Sequence, residues 1–251
     1  MEQPNGFEEF FDHPIYLKYK CHLYNHRIRQ NIIRKIFHKI NPQGLTVEIG
    51  CGIGPILESS QSNVFFMDRS AQAIAYLQEN EFRNAFVSDA TDIGLKSQSC
   101  EVVICCEVLE HILEDRKAVR EFNRILKPGG HLILTVPIHT RYYAFDDKYV
   151  SHVQRYKVWS LIKLLRKNGF QIREIKKVTG YIDRLLIQLM VWVYARTKMG
   201  SEKHRDTYFF LRLMFPFYKL ANRILSWIVS LEARWMPLSI TADLLVRCQK
   251  N

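Results

Sequence analysis

The spacing of apolar and polar residues changes repeatedly between two periods along the middle of the chain. Short apolar runs, as expected of buried parallel strands, occur at 45–50, 64–68, 84–88, 102–106, 131–136 and 170–178. Helical spacing follows several of these runs, for example over 115–126 and 159–168, and Ser70 is the expected N-cap of the helix after the second strand. These alternating units predict a parallel sheet with helices on both faces.

The two ends of the chain have a different character. Residues 24–40 place apolar side chains on one helical face, whereas 181–238 is apolar and aromatic with Arg and Lys spaced through it, and 243–248 resembles one more strand. The pattern predicts an α/β fold with a doubly wound, mostly parallel seven-stranded sheet. It divides the chain into an N-terminal helical cap (1–43), an α/β core (44–180), an apolar helical insertion (181–238) and the final core strand (239–251).

Charge is distributed unevenly over these parts. The net charge is +11, from 36 Lys and Arg against 25 Asp and Glu, yet residues 44–140 hold eight basic and thirteen acidic residues. Basic flanks around an acidic core indicate either an anionic partner, RNA or a lipid surface, or solvated helix faces. The six cysteines form no Cys-x-x-Cys pair, and the chain opens without a signal-peptide pattern, so we expect a cytoplasmic protein with reduced thiols.

The strongest candidate binding motif follows the first predicted strand and reads Glu48-Ile-Gly-Cys-Gly-Ile-Gly54. Glycines at this position let the backbone turn tightly and approach a nucleotide-like ligand. Pro55 stands where a dinucleotide-binding fingerprint has its last glycine, which argues against that class. Asp68 ends the second strand, where its carboxylate is suited to accept both hydroxyls of a ribose.

These motifs, together with Lys127-Pro-Gly-Gly130, resemble those of the class I S-adenosylmethionine-dependent methyltransferases over about Leu45–Val178. The resemblance implies a Rossmann-like fold with S-adenosylmethionine as the cofactor, whose sulfonium and amino group suit a site with carboxylates. Catalysis would then come largely from positioning the methyl group. The cofactor-binding residues that the resemblance implies are Glu48, Gly50, Cys51, Gly52, Gly54, Asp68, Arg69, Asp89, Ala90, Cys106 and Glu107.

A second cluster, Glu107, Glu110 and His111, follows the fourth predicted strand. It resembles the metal-binding motif of ubiquinone-pathway O-methyltransferases and small-RNA 2′-O-methyltransferases. That resemblance implies a divalent cation, Mg²⁺ or Mn²⁺, held by Glu107, Glu110, His111 and His152. The alternative is that the histidines brace the loop or act as a general base, for which His111 and His152 are the leading catalytic candidates because imidazole titrates near neutral pH.

The insertion before the last strand is expected to form a wall or lid over the acceptor site, because in this family the last strand is antiparallel and lies beside the sixth. Its aromatic and basic residues fit helices packed around an apolar pocket, which we favour, or a helix lying in a membrane interface with the protein peripherally attached. We therefore expect O-methylation of a small hydrophobic or lipid-like acceptor. RNA methylation, and a non-catalytic domain that binds a membrane or partner, are the alternatives.

Overall fold

The computed structural model describes residues 19–198 and 205–251, so the first part of the predicted N-terminal cap and residues 199–204 of the insertion lie outside the described residues. Seven strands form one sheet in the order β3-β2-β1-β4-β5-β7-β6. β7 is antiparallel to both of its neighbours and the other pairs are parallel, which confirms the predicted doubly wound arrangement. The strands are β1 (Leu45–Ile49), β2 (Val64–Asp68), β3 (Ala85–Val87), β4 (Cys100–Cys106), β5 (Leu126–Pro137), β6 (Phe170–Thr179) and β7 (Asp243–Lys250).

Helices cover both faces of this sheet. They are α1 (Tyr24–Ile40), α2 (Ala71–Glu79), α3 (Asp115–Ile125), α4 (Phe145–Tyr149), α5 (Val158–Lys167), α6 (Tyr181–Lys198) and α7 (Arg205–Trp235). Phe122 of α3 and Leu161 of α5 pack on one face, in a cluster that includes Val47. Ile33 of α1, Leu77 of α2 and Val229 of α7 pack on the other. The predicted bounds of α1 and β2 are confirmed, and Ser70 caps α2 by accepting a hydrogen bond from the Ala73 N–H.

The fifth strand begins earlier than the apolar run at 131–136 predicts. β5 already begins at Leu126, opposite Cys100, and the next paired residue is His131, opposite Val102. Residues 127–130 therefore bulge out between two paired positions of the same strand, and Gly129 takes a positive φ of 76° within the bulge. The apolar pattern could not reveal this early start, because the bulge interrupts the apolar run.

The insertion consists of α6 and α7, which connect β6 to β7 at the carboxyl edge of the parallel strands. The Ala242 N–H donates to the Thr179 carbonyl at 3.1 Å, and the Thr179 hydroxyl donates to Asp243 at 2.9 Å, so the two strand ends are joined directly. The Glu232 carboxylate of α7 accepts the Ile182 N–H at the start of α6. Lys177 of β6 donates to the Arg234 and Met236 carbonyls at the end of α7. Within 19–198 and 205–251, no helix combines the length and hydropathy needed to cross a bilayer.

Candidate active site

A cavity of about 690 Å³ opens at the carboxyl ends of the parallel strands. Ligands bind at this edge in doubly wound sheets, and the volume lies within the range of small-molecule sites, roughly 300–1,000 Å³. The glycine motif after β1 borders one side of the cavity, and the segment 107–114 after β4 borders another. Asp243 of β7 also lines it, and Ile187 of α6 lies in the wall as the contribution of the insertion.

The glycine motif turns sharply after β1. Gly50 and Gly52 have φ values of +69° and +52°, which favour glycine because other residues are strained there. A Cβ on Gly50 would also overlap the Val108 side chain. The Gly50 N–H donates to the Met67 carbonyl of β2 at 2.7 Å, which fixes the turn against the neighbouring strand. The motif residues Gly50, Cys51, Gly52 and Gly54 all line the cavity.

The Glu48 side chain, at the end of β1, binds the backbone just after the glycine motif. Its two carboxylate oxygens accept the backbone N–H groups of Ile56 and Leu57, at 2.6 and 3.0 Å. Burial raises the pKa of Glu48 to about 7, although both hydrogen bonds act in the opposite direction. Because both oxygens are occupied by backbone donors, Glu48 acts on the shape of the loop, although it also borders the cavity.

Asp68 connects the loop to the end of β2. One oxygen accepts the Gly52 N–H at 2.8 Å and the other accepts the Ser70 N–H at 2.9 Å. The carboxylate is buried, yet it lies in the cavity wall at the position expected for a ribose contact. Arg69 lines the same wall beside it.

Asp89 and Ala90, two of the implied cofactor-binding residues, border the cavity beyond β3. The Asp89 carboxylate accepts both the N–H and the hydroxyl of Thr91 at 2.7 Å, and these hydrogen bonds lower the pKa of Asp89. Its orientation is therefore set by its own turn.

Cys106 and Glu107 lie at the end of β4, where the chain leaves the sheet. Glu107 has a positive φ of 55°, a strained conformation for a residue with a side chain. Its carboxylate accepts the Thr135 hydroxyl at 2.8 Å, and the same hydroxyl contacts the Cys106 sulfur at 3.2 Å. Burial and the neighbouring Asp243 raise the pKa of Glu107, whereas Arg29 opposes the shift.

Arg29 and Asp243 are site residues that the sequence analysis missed. Arg29 of α1 places Nη1 3.6 Å from the Glu107 carboxylate and 3.5 Å from that of Asp243. The guanidinium is thus shared by two carboxylates, one from the middle of the chain and one from its C-terminal strand. The position of Asp243 at the start of β7 was a usable signal, because an antiparallel last strand must begin at the carboxyl edge. For Arg29, helical periodicity gave no such signal.

Glu110 and His111, which follow Glu107 in the chain, come together with His152 in a cluster that we call the histidine cluster. Their ligand atoms all lie within 4.8 Å of one another, and the two imidazole rings meet edge to face at 4.7 Å. Of the four predicted metal ligands, the described part of the chain thus brings three together. Glu107 lies outside the cluster, because its carboxylate is turned toward Thr135 and Arg29.

The environment of this cluster fits a divalent cation. Both Glu110 oxygens are buried without a hydrogen-bond partner among the described residues, and burial raises the pKa of Glu110 well above its usual range. His152 Nδ1 lies 2.7 Å from the Asp147 carboxylate and His111 Nδ1 lies 3.2 Å from the Ser151 carbonyl. Each acceptor favours a proton on Nδ1 and therefore a lone pair on Nε2, which is how ligating histidines are usually oriented.

Asp147 is a second residue that the sequence analysis missed. Burial acts to raise its pKa, but the hydrogen bond from His152 and the guanidinium of Arg155, 2.7 Å away, together lower it. Asp147 therefore stays ionised and fixes the orientation of His152. Burial and the neighbouring His152 lower the pKa of His111 to about 4, which keeps that ring neutral.

Comparison with known proteins identifies a methyltransferase domain in this chain. Residues 47–134 match the sequence model of a family described as a methyltransferase domain. The tRNA (carboxymethyluridine(34)-5-O)-methyltransferase ALKBH8 of Macaca fascicularis is 27% identical over 207 residues, which cover 80% of this chain and 29% of that protein. The ubiquinone biosynthesis O-methyltransferase of Ralstonia nicotianae is 29% identical over 123 residues, covering 40% of this chain and 52% of that protein. The chain thus spans about half or less of the length of these relatives.

Among solved structures, an S-adenosylmethionine-dependent methyltransferase of Thermotoga maritima has a similar fold. Its TM-score is 0.61 at 17% sequence identity, and the alignment covers 99% of this chain and 100% of that one. At this identity the similarity establishes the fold alone.

Proposed function

We propose that this chain, which contains a methyltransferase domain over residues 47–134, transfers the methyl group of S-adenosylmethionine to an oxygen of a small, apolar acceptor. The adenosine part would lie against the glycine turn and Asp68, with Asp89 and Ala90 beside the adenine. The methionine part would face Glu107, whose carboxylate can offset the charge of the amino group and the sulfonium. All of these residues border one cavity.

The composition of the cavity wall carries the proposal. Seven carboxylate side chains line it against four basic ones. Such a wall attracts a cationic cofactor and disfavours a polyanion such as RNA. The carboxylates are Glu48, Asp68, Asp89, Glu107, Glu114, Asp147 and Asp243, and the basic residues are Lys20, Arg29, Arg69 and Arg155.

Apolar side chains at the cavity rim support an apolar acceptor. Ile112, Leu113, Val153 and Ile187 line the cavity, and Leu113 and Val153 are 81% and 43% exposed. Exposed apolar groups next to a cavity are a common sign of a binding site for an apolar ligand. The polar side chains that line the cavity next to them include the imidazoles of His111 and His152.

The cluster can activate an acceptor hydroxyl in one of two ways. In the first, His152 Nε2 accepts the hydroxyl proton while Asp147 stabilises the resulting imidazolium. The acceptor oxygen then forms a bond to the methyl carbon as the bond from carbon to sulfur breaks, which leaves S-adenosylhomocysteine. In the second, a divalent cation held by Glu110, His111 and His152 would polarise the hydroxyl as a Lewis acid.

Binding and transfer can be measured separately. Calorimetry should show that S-adenosylmethionine binds the wild-type chain and that Asp68→Ala abolishes this binding, with NAD as the control ligand. Transfer of labelled methyl should then be assayed with a panel of apolar phenols and catechols. Binding of NAD instead of S-adenosylmethionine would refute the proposed activity, and methylation of polar acceptors only would refute the acceptor class.

A second candidate acceptor is tRNA. It is favoured by the match to ALKBH8, which extends over 80% of this chain and therefore beyond the methyltransferase core. The acidic cavity wall opposes it. Incubation with total tRNA and labelled cofactor decides between the two, because the apolar-acceptor proposal predicts no label in nuclease-sensitive material.

A further inference from the structure

The outer face of α7 carries a continuous row of large apolar side chains, which we call the outer stripe. At 100° per residue its members fall within an arc of about 100°. Trp227 and Trp235 are 68% and 84% exposed, and the other members are exposed as well. The outer stripe consists of Phe217, Leu220, Ile224, Trp227, Ile228, Leu231 and Trp235.

The opposite face of α7 packs on the domain with small or polar residues. Asn222, Ser226, Val229 and Ala233 are buried there, and Asn222 accepts the Tyr24 N–H at 2.9 Å. The helix therefore buries its less apolar face and exposes the more apolar one, the reverse of a helix that faces water. Contiguous exposed apolar surface of this kind marks an interaction site.

Between residues 215 and 240, the exposed charged residues around the outer stripe are all basic. Lys219, Arg223 and Arg234 are exposed, with Arg223 and Arg234 directly beside the stripe. Glu232 is the one acidic residue between 215 and 240, and its carboxylate accepts the Ile182 N–H. Aromatic and aliphatic residues flanked by cations are typical of helices that lie in the interface of an anionic bilayer.

A second copy of the chain is a poorer occupant. Pairing of two outer stripes around a twofold axis would bring the cations of both copies together, and between residues 215 and 240 neither copy has an acidic residue except Glu232, which is already engaged with the Ile182 N–H. RNA is also a poorer occupant, because the aliphatic side chains of the stripe can neither pair with its phosphates nor hydrogen-bond to its bases.

We propose that α7 lies in the interface of an anionic lipid bilayer and docks the protein there by its outer stripe. The adjacent helix α6 extends the surface toward the cavity, since Leu185 and Leu189 are exposed whereas Ile187 lines the cavity. The docked face would then adjoin the part of the cavity that Ile187 lines, so an apolar acceptor could enter from the bilayer. This docking does not depend on which acceptor is methylated.

Vesicle flotation of the full chain tests the proposal. The variant is Trp227→Ser with Trp235→Ser, and the matched control is Trp159→Ser, which removes a 63% exposed tryptophan from α5 on the opposite face of the sheet. Vesicles of phosphatidylcholine mixed with phosphatidylglycerol should float the wild type and the control. The double variant should bind at least about tenfold more weakly, because a buried aromatic side chain contributes more than 1.4 kcal/mol. Equal thermal unfolding midpoints would show that both variants are folded.

A charge reversal separates the basic flank from the apolar stripe. Arg223→Glu should weaken binding to the anionic vesicles and leave the weaker binding to pure phosphatidylcholine unchanged, whereas Arg166→Glu on α5 should change neither. Added salt should reduce the difference between the two lipid mixtures.

Three results would overturn the proposal. One is equal flotation of the double variant and of Trp159→Ser. Another is a dimer that the double variant converts to a monomer while vesicles bind neither form, which would assign the stripe to a second copy. The last is loss of RNA retention in the double variant without any vesicle binding by the wild type.

Discussion

The two halves of the cavity are built differently. In the cofactor half, the buried carboxylates of Glu48 and Asp68 each accept two backbone hydrogen bonds, one on each oxygen. In the acceptor half, His111 and His152 line the cavity, and behind them the fully buried carboxylate of Glu110 has no hydrogen-bond partner among the described residues. The first half is complete before a ligand arrives, whereas the second half adjoins a group that lacks a partner until it takes up a proton or a cation.

This contrast has a physical meaning. A carboxylate that accepts two backbone N–H groups holds a loop in one shape, so the cofactor half is preorganised. An unsatisfied buried carboxylate destabilises the fold, and a ligand that pairs with it regains that free energy. We therefore expect substitutions in the two halves to affect different measurable quantities.

The largest effect is expected in the cofactor half, from Gly50→Ala. The added Cβ overlaps Val108, and φ is +69°, so the turn must move. Binding of S-adenosylmethionine should become undetectable by calorimetry. Gly94→Ala is the matched control, because a Cβ at Gly94 meets no atom within 4 Å. Unchanged binding in Gly50→Ala would mean that the turn does not define the cofactor site.

A paired comparison of Glu110→Gln and Glu48→Gln tests the contrast itself. Glu110→Gln keeps the size of the side chain and removes a ligand of the proposed cation, so methyl transfer that depends on the cation should slow with little change in cofactor affinity. Glu48→Gln places an NH₂ group against a backbone N–H, so cofactor affinity should fall first. Calorimetry and single-turnover rates measure the two quantities, and similar losses of cofactor affinity in both variants would remove the distinction.

The pH dependence of stability gives a smaller effect. The pKa of Glu48 rises from 4.5 to about 7 on folding, so the folded chain retains this proton at a pH where the unfolded chain has released it. The associated stabilisation is complete below pH 4.5 and is lost as the pH rises through about 7. It amounts to about 3 kcal/mol. The free energy of unfolding, measured in urea across this range, should fall less steeply for Glu48→Gln than for the wild type, and equal slopes would contradict the assignment.

The smallest expected effect concerns the cation. If Glu110, His111 and His152 hold one, Mn²⁺ at a hundred times its dissociation constant should stabilise the wild type by about 2.7 kcal/mol. Thermal unfolding with and without Mn²⁺ measures this directly and requires no acceptor. Glu110→Gln should abolish the shift. Full methyl transfer in EDTA, together with no Mn²⁺ shift in the wild type, would leave His152 as the general base.

The sequence predicted the core well because each element there is specified locally. Strands β1 and β2 are short apolar runs, and the positive-φ turn needs its glycines. The carboxylates of the motif were also found, and Glu48, which is predicted to contact the cofactor, borders the cavity while it also accepts the Ile56 and Leu57 N–H groups. A local pattern identifies a required residue more readily than it identifies the partner of that residue.

Features that depend on tertiary structure were not found in this way. Arg29 meets Asp243 across most of the chain, and Asp147 reaches His152 through the fold of a short irregular segment. The same limit applies to α7. Periodicity shows which residues share a face of a helix, but it does not show whether that face meets the sheet or the outside. The outer stripe became visible only once β6 and α1 were seen to cover the opposite face.

The direct link between Thr179 and Asp243 has a consequence for how such proteins diversify. The ends of β6 and β7 are held together by their own hydrogen bonds. The segment between them is therefore a connection whose two ends are already fixed side by side. The entropic cost of a longer connection grows only with the logarithm of its length. Evolution or design can therefore replace α6 and α7 with other elements while the seven-stranded sheet stays the same. Such a replacement would change which acceptors bind and where in the cell the protein docks.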